Sequence, residues 1–555
     1  MKVSYHVIIA LIYIMVATVS CRKELDRAPL DQFSSENFWT SEQNVLLALT
    51  GVYRGSLQMA TIPLTSAEFA ATDWWSYHGL LYLELATDNA YDRRGDNSAF
   101  NMLTNGALVN TNGYLANYWS LSYRRIARCN YFLENIRKAA GVLDEAKIAR
   151  MSAEARFIRA CQYFYLSQHF GSVPLVERTL ALEEANKVTK TSKDQVLAFA
   201  VSEFNSVLTD LPRQGAMPAT ERGRVTQQAA LSFLGRAYLA QESWANAAEV
   251  YKQVIDLNEN IIDPNFRSLF NGSNEASKEI IFATQYVQDL APNAMMQHHY
   301  PAILGGWMLH CPLGSLVESY EFNDGTPFSY TSPRYSPSNL GLNRDPRLRY
   351  TVLYHGQTFR NTVYNSHPNS TASPDQLTTT KQATRTGYAM QKFSSEEFSG
   401  GNLQNSGVDI PIIRYAEVLL SYLEAVLESG ATIDRTLLDA TINQVRGRTG
   451  VNMPPVSETN PTLLRTILRR ERRNELALEG IRYWDLLRWK TIGQVLSGDF
   501  YGAPYPDATN LRRKPGTTIQ DPYSRWFVTS KTFRIGQDEL WPVPLMEVNI
   551  NPNLR

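Results

Sequence analysis

Leu464 to Trp489 reads LRTILRRERRNELALEGIRYWDLLRW, and its spacing decides how the rest of the chain is read. Leu464, Ile467 and Leu468 fall at helical intervals, and Leu476 and Leu478 carry the apolar run past a charged middle. Glu471, Glu475 and Glu479 recur every four residues, which stacks three like charges on one helical stripe. Each such pair is unfavourable by roughly 0.2–0.5 kcal/mol unless cations intervene, and Arg472, Arg473 and Arg482 are placed to do so. Gly480 stands where a C-terminal cap belongs, and Ile481–Trp489 begins a second, aromatic-rich helix. The acidic residues cancel the charge that a nucleic-acid-binding helix needs. Carboxylates four apart on one stripe do not make an acid/base pair across a cleft. Alternating signs mark instead a structural helix that clamps neighbouring segments.

Upstream, the pattern is helical in pairs. Trp119, Tyr123, Ile126, Cys129, Leu133 and Ile136 keep one face apolar, and a second helix carries Ala155, Ile158, Cys161 and Tyr165 to Gly171. Ser192 with Gln195 forms a capping box ahead of Val196, Ala200, Phe204, Val207 and Leu211. Leu234-Gly235, Tyr238, Ala247 and Tyr251 fall at the offsets of a tetratricopeptide unit, whose small residues let two antiparallel helices approach closely. A last pair is expected with Pro411 at a helix start leading Tyr415, Leu419, Tyr422 and Val426, followed by a partner helix over Leu437–Arg448. Between Ile261 and Ile410 periodicity disappears, and NDGTP, NPNS and SGGN mark turns. A structureless loop of that length is implausible in a compact domain, so the insert is expected to fold against the helices with a few short strands. The fold class is mainly α: a tetratricopeptide-like helix-pair solenoid with a large, irregular, loop-rich insert.

The N-terminus carries Lys2, an apolar run from Val7 to Val19, and then Ser20-Cys21. That run is short for a membrane span and suits a secretory signal over residues 1–20. A small residue before a cysteine reads as a bacterial lipoprotein processing site, so Cys21 is the expected lipid anchor, the only link to the membrane, and 21–555 the mature chain. Lys+Arg and Asp+Glu balance at 54 each, which argues against a polyanionic nucleic-acid partner. Cys129, Cys161 and Cys311 remain after Cys21, without CxxC spacing, so neither a disulfide framework nor a zinc site is indicated. Cys129 and Cys161 lie on apolar stripes and read as inert buried thiols.

Several of these stretches also resemble one family. ERRNELALEGIRYWDLLRW, Arg414-Tyr415-Ala416-Glu417, Asn443-Gln444-Val445-Arg446-Gly447-Arg448 and the closing Pro542–Pro544 to Asn551-Pro552-Asn553-Leu554 are similar to hallmarks of the SusD/RagB family of Bacteroidetes nutrient-uptake lipoproteins. The opening Leu25-Asp26…Phe38-Trp39 with Ala48-Leu49-Thr50-Gly51-Val52-Tyr53 resembles the start of the same family, so the matches run in order along the chain. The resemblance implies a single domain. Its helix-pair core covers about 40–260 and 411–490, its ligand-binding lobe about 261–410, and its closing segment 491–555. It also implies an outer-membrane, cell-surface location and a SusC-like TonB-dependent transporter as partner.

No GxSxG elbow, Walker A loop or HExxH is present, and no catalytic residue, metal ligand or cofactor is expected. His298-His299 and His310 read as loop-packing or solvent-facing residues. Aromatic residues concentrate in polar loops: Asp73-Trp74-Trp75-Ser76-Tyr77-His78, Gly305-Gly306-Trp307, and Tyr320, Tyr330 and Tyr335. Flat rings beside hydroxyl, amide and carboxylate groups suit pyranose rings, whose faces are apolar and rims polar. Trp75 and Trp307 are the leading ligand platforms, with Trp74, Tyr77 and Tyr320 behind them; the competing reading places Trp74 and Trp75 on an inward-packing helix. The two glycines before Trp307 are read as leaving room for a ligand. The leading function is a surface protein that binds a glycan and hands it to the transporter. The alternative is a tetratricopeptide scaffold for a protein or peptide, without a sugar site.

Overall fold

The structure, a computed structural model, describes residues 38–54 and 73–555. The leader, Cys21 and residues 55–72 lie outside the described residues. Helices α1 (Glu42–Arg54), α2 (Gly113–Asn135), α3 (Glu145–Phe170), α4 (Lys193–Ser206), α5 (Gln227–Ala240), α6 (Trp244–Asp256), α7 (Tyr415–Glu428), α8 (Pro461–Glu475) and α9 (Arg482–Arg488) carry the core. From α2 to α8 each helix packs on the next in chain order, which is the arrangement of a helix-pair solenoid. From Ala153 to Phe170, α3 buries every residue except Arg156, because α2 and α4 flank it and the closing segment covers it. Trp541 from that segment stacks on His169 at 4.2 Å and donates from Nε1 to the Tyr483 hydroxyl of α9 at 2.9 Å.

Local signals account for the ends and the close approaches. Ser192 Oγ accepts from the Gln195 N–H at 3.3 Å, the expected N-cap of α4, while Gln195 Oε1 accepts from the Ser192 hydroxyl at 2.9 Å, which differs from the backbone N–H bond of a full capping box. A Cβ on Gly235 would sit 2.4 Å from Cζ of Tyr251, so α5 and α6 can meet at that spacing only with glycine there. Among the described residues no helix is long and apolar enough to cross a membrane.

The insert leaves the solenoid after α6 and returns before α7, and those two helices still pack together. Its ends are stitched by an antiparallel pair, Ile280–Thr284 with Ile410–Arg414, in which Ala283 faces Pro411. Pro411 therefore sits in a strand and not at a helix start. Ile410, Ile412 and Ile413 favour the extended chain, and a two-stranded sheet has a free edge for proline. Every sheet among the described residues has two strands. The partner helix expected over Leu437–Arg448 is two short ones, Arg435–Ala440 and Ile442–Arg446, broken at Thr441, whose hydroxyl donates to the Leu437 carbonyl at 2.6 Å.

The stretch around α8 is the charged centre of the molecule, though its cations come from elsewhere than the sequence indicates. The helix ends at Glu475, and Leu478 and Gly480 take positive φ, so Glu479 lies in the following turn. Arg347 contacts Glu471 at 2.5 Å and Glu475 at 2.9 Å. Arg448 contacts Glu475 at 2.8 Å, and Arg414 reaches Glu475 at 3.0 Å and Glu479 at 2.7 Å. Lys392 meets Glu479 at 2.6 Å and Arg446 meets Glu471 at 2.7 Å. Arg472, expected to screen this stripe, turns instead to Asp485 at 2.7 Å, while Arg473 and Arg482 both clamp Asp88 at 2.9 Å. A helix buried on the side of its acids is served by the segments packed over it, not by residues on its own far face.

Candidate functional site

Four of the five aromatic platforms expected from sequence are packing residues. Trp74 is fully buried, stacked on Tyr165 at 5.0 Å and edge-on to Phe233. Trp75 packs edge-on to Phe282 at 5.2 Å and under the Arg125 guanidinium, leaving one edge on the wall of a cavity of about 630 Å³ beside Tyr53, Arg222 and Tyr286. Tyr77 is buried below the insert, and Tyr320 is buried with its hydroxyl donating to the Asn474 carbonyl at 3.1 Å. Trp74 and Trp75 occupy a turn before the short helix Tyr77–Leu80, whose N-cap is Ser76. Tyr330 stacks on Tyr523 at 4.5 Å and meets Tyr335 edge-on at 5.2 Å. Trp74, Trp75, Tyr77 and Tyr320 are covered by protein, and Tyr330 and Tyr335 are half-buried against other rings.

Trp307 is different: half-buried, it lines the mouth of a cleft of about 480 Å³. Its loop is fixed by the backbone. The Trp307 N–H donates to the Gln297 carbonyl at 2.6 Å and the Leu309 N–H to His298 at 2.7 Å. Gly305 takes φ +83°, and a Cβ on Gly306 would lie 2.0 Å from the Tyr300 carbonyl oxygen. The two glycines thus make room for the loop's own backbone, not for a ligand. Past the loop, His310–Pro312 pairs antiparallel with Ala90–Asp92, and the Arg93 N–H donates to the Leu309 carbonyl at 3.1 Å. That ladder brings Arg93 and Arg94 beside Trp307 from more than two hundred positions away in sequence.

Beneath the indole, His298 stacks at 5.5 Å and 23°, and its Nδ1 meets the Tyr82 hydroxyl at 2.6 Å and the Tyr77 hydroxyl at 3.3 Å. Burial, with His78, His299 and His310 adding to it, pushes the His298 imidazole well below its ordinary range, so the ring is neutral. His299 and His310 are buried in the same packing, which excludes the solvent-facing reading. Among the described residues no group of three or more His, Cys, Asp or Glu is placed to hold a metal ion. The cleft floor is Tyr82, Phe100 and Leu309; its rim carries Arg93, Arg94, Asn117 and Gln382. An apolar floor and face with polar donors around it is what a pyranose ring asks of a protein. The sequence reading missed all of this surround except Trp307. Its one available signal was the Arg93-Arg94 pair in the Asp92–Asp96 turn.

Fold and cleft together define a class: a helix-pair solenoid that carries a large irregular insert with a cleft beside it. The comparisons place the chain within it. A model described as the SusD family matches residues 270–555, and one described as "Starch-binding associating with outer membrane" matches 69–239. The chain belongs to the SusD family. The crystal structure of a SusD-like carbohydrate binding protein of Bacteroides fragilis is 47% identical, with a TM-score of 0.88 over 94% of this chain and 100% of that one. SusD-like protein P2 of Formosa agariphila is 23% identical over 88% of this chain and 91% of its own length. The match to SusD-like protein P25 of the same organism, 25% identical, spans 51% of this chain and about half, 52%, of that protein.

Proposed function

We propose that the protein is a cell-surface lipoprotein, anchored through Cys21, that captures an oligosaccharide or polysaccharide in the Trp307 cleft and passes it to a SusC-like TonB-dependent transporter. The observation that carries this reading is Trp307 itself. Of the aromatic residues singled out in the polar loops, it is the one half-open to solvent at a polar-rimmed cleft. The SusD-like relative of 47% identity, described as carbohydrate binding, supports the ligand class. The transporter and the anchor rest on family membership and on the Ser20-Cys21 leader. The role is binding, not catalysis.

The test is titration of a glycan panel against the purified chain and Trp307→Ala, with circular dichroism confirming that the variant is folded. A capture site that also releases its ligand binds at millimolar to micromolar affinity, about −4 to −8 kcal/mol. Loss of a central ring costs about 2 kcal/mol, close to abolition for such a site. A folded Trp307→Ala that binds normally places the site elsewhere on the insert. Recovery of the glycan uncleaved after incubation checks the non-catalytic role.

A further inference from the structure

The lining of the Trp307 cleft contains no carboxylate. Of its two arginines, Arg94 already has a counter-ion, lying on the Asp92 carboxylate with contacts of 2.7–3.0 Å. Arg93 has none: among the described residues its side chain forms no ion pair, and its Nε is buried without a hydrogen-bond partner. Two further cations stand behind it. Arg385 donates from Nε to the Arg93 carbonyl at 3.1 Å and from Nη1 to the Thr378 and Lys381 carbonyls. Lys381 Nζ donates to the carbonyls of Thr371 and Ser373. Both are spent on backbone carbonyls, so neither positive charge is cancelled by a carboxylate among the described residues. Burial pushes the Arg93 guanidinium down from its ordinary value, and Arg385 and Arg94 push it the same way; Cys311 and the Asp92 carboxylate, which is itself paired with Arg94, offset this only in part.

A partly buried cation without an ion pair of its own is costly unless an anion arrives with the ligand. We propose that the glycan taken by this cleft is acidic, its uronate carboxylate or sulfate ester pairing with the Arg93 guanidinium while a sugar face lies on Trp307. This rests on the Trp307 cleft being the glycan site. The planar guanidinium fork matches both anions bidentately, and charge-assisted pairs of this kind are roughly twice as strong as neutral hydrogen bonds.

The experiment is calorimetric titration of the full mature chain with three arms: oligogalacturonate, a sulfated galactan, and neutral β-glucan and xylan. Each is run at low and at raised ionic strength, with wild type, Arg93→Gln and Trp307→Ala. Binding of the uronate or the sulfated arm is expected, and which of the two binds names the anion. Affinity should fall about tenfold or more with salt and about tenfold or more in Arg93→Gln. The salt series on wild type stands whether or not the variant folds. Binding confined to neutral glycans, or acidic binding indifferent to salt and to Arg93→Gln, overturns the proposal; if Trp307→Ala abolishes that binding, the cleft remains the glycan site. A wild-type chain that binds none of the three arms overturns both.

Discussion

Asp375 is a buried carboxyl that meets the segment leading into the Trp307 loop, where its Oδ1 accepts from the Ile303 N–H at 3.3 Å. Burial pushes its carboxyl up to about 6, offset only in part by the Ile303 and Ala302 N–H groups. A carboxyl raised in the folded state binds its proton more tightly there than in the unfolded chain. Its stabilisation is therefore complete below the ordinary carboxylate range and is lost as pH rises through about 6. Asp375→Asn is expected to stabilise the protein by about 1–3 kcal/mol at pH above 7 and to change little near pH 4. Urea midpoints at the two pH values measure it, and an equal gain at both would rule out the carboxyl as the cause. None of this is legible in the sequence, where Asp375 is one acid in a turn-rich run. The half-exposure of Trp307 was legible because a tryptophan in a Gly-rich polar loop has few apolar neighbours in sequence to pack on. Trp74 and Trp75 look equally exposed in sequence, and they are buried because α3, α5 and the Ile280–Thr284 strand close over them.

At the scale of the element, α8 and its following turn were readable as structural from alternating charge alone. The identity of the partners was not. Burial pushes Glu475 upward, but Arg448, Arg414, Arg347 and Lys392 outweigh it and hold the carboxyl well below the usual carboxylate range. Its contribution is present above that range and is lost only as pH falls through the depressed value. Removing one partner of a buried charge set strands the others and costs about 3–5 kcal/mol. Glu475→Gln is accordingly expected to lower the denaturation midpoint by that amount at neutral pH. The exposed Glu397→Gln serves as control and should stay within about 0.5 kcal/mol of wild type. An unshifted midpoint in Glu475→Gln with lost glycan binding would make α8 part of the ligand site.

At the scale of the whole molecule, the insert and the solenoid share one charged core. Arg347 and Lys392 come from the insert and Arg414 from its returning strand, while Glu471 and Glu475 project from α8. The insert is thus held by ion pairs to the helices as well as by the strand pair at its ends. The proposed lipid anchor, Cys21, lies outside the described residues. Cys21→Ala is expected to move the protein from the membrane fraction to the soluble one, or to leave it unprocessed. One acyl chain binds bilayers with a partition constant of only about 10⁴ M⁻¹, so stable attachment needs more than one. Fractionation with an acyl label reads the outcome, and an unlabelled Cys21 with unchanged membrane retention would refute the anchor.

The sequence by itself determined the helix pairs from residue 113 to 256 and the Gly235 contact, because each rests on residues within one turn or one hairpin of each other; it misplaced Pro411, the Leu437–Arg448 helix and the end of α8. It also determined that residues 261–410 would be irregular, since no period survives there. Only the tertiary structure decided which rings are covered, which arginines meet Glu471, Glu475 and Glu479, and that Arg93 stands beside Trp307. Those facts depend on strand pairs and helix contacts that join segments from about 25 to more than two hundred residues apart. No local pattern of apolar and polar residues encodes which distant segment will supply the other half of a contact.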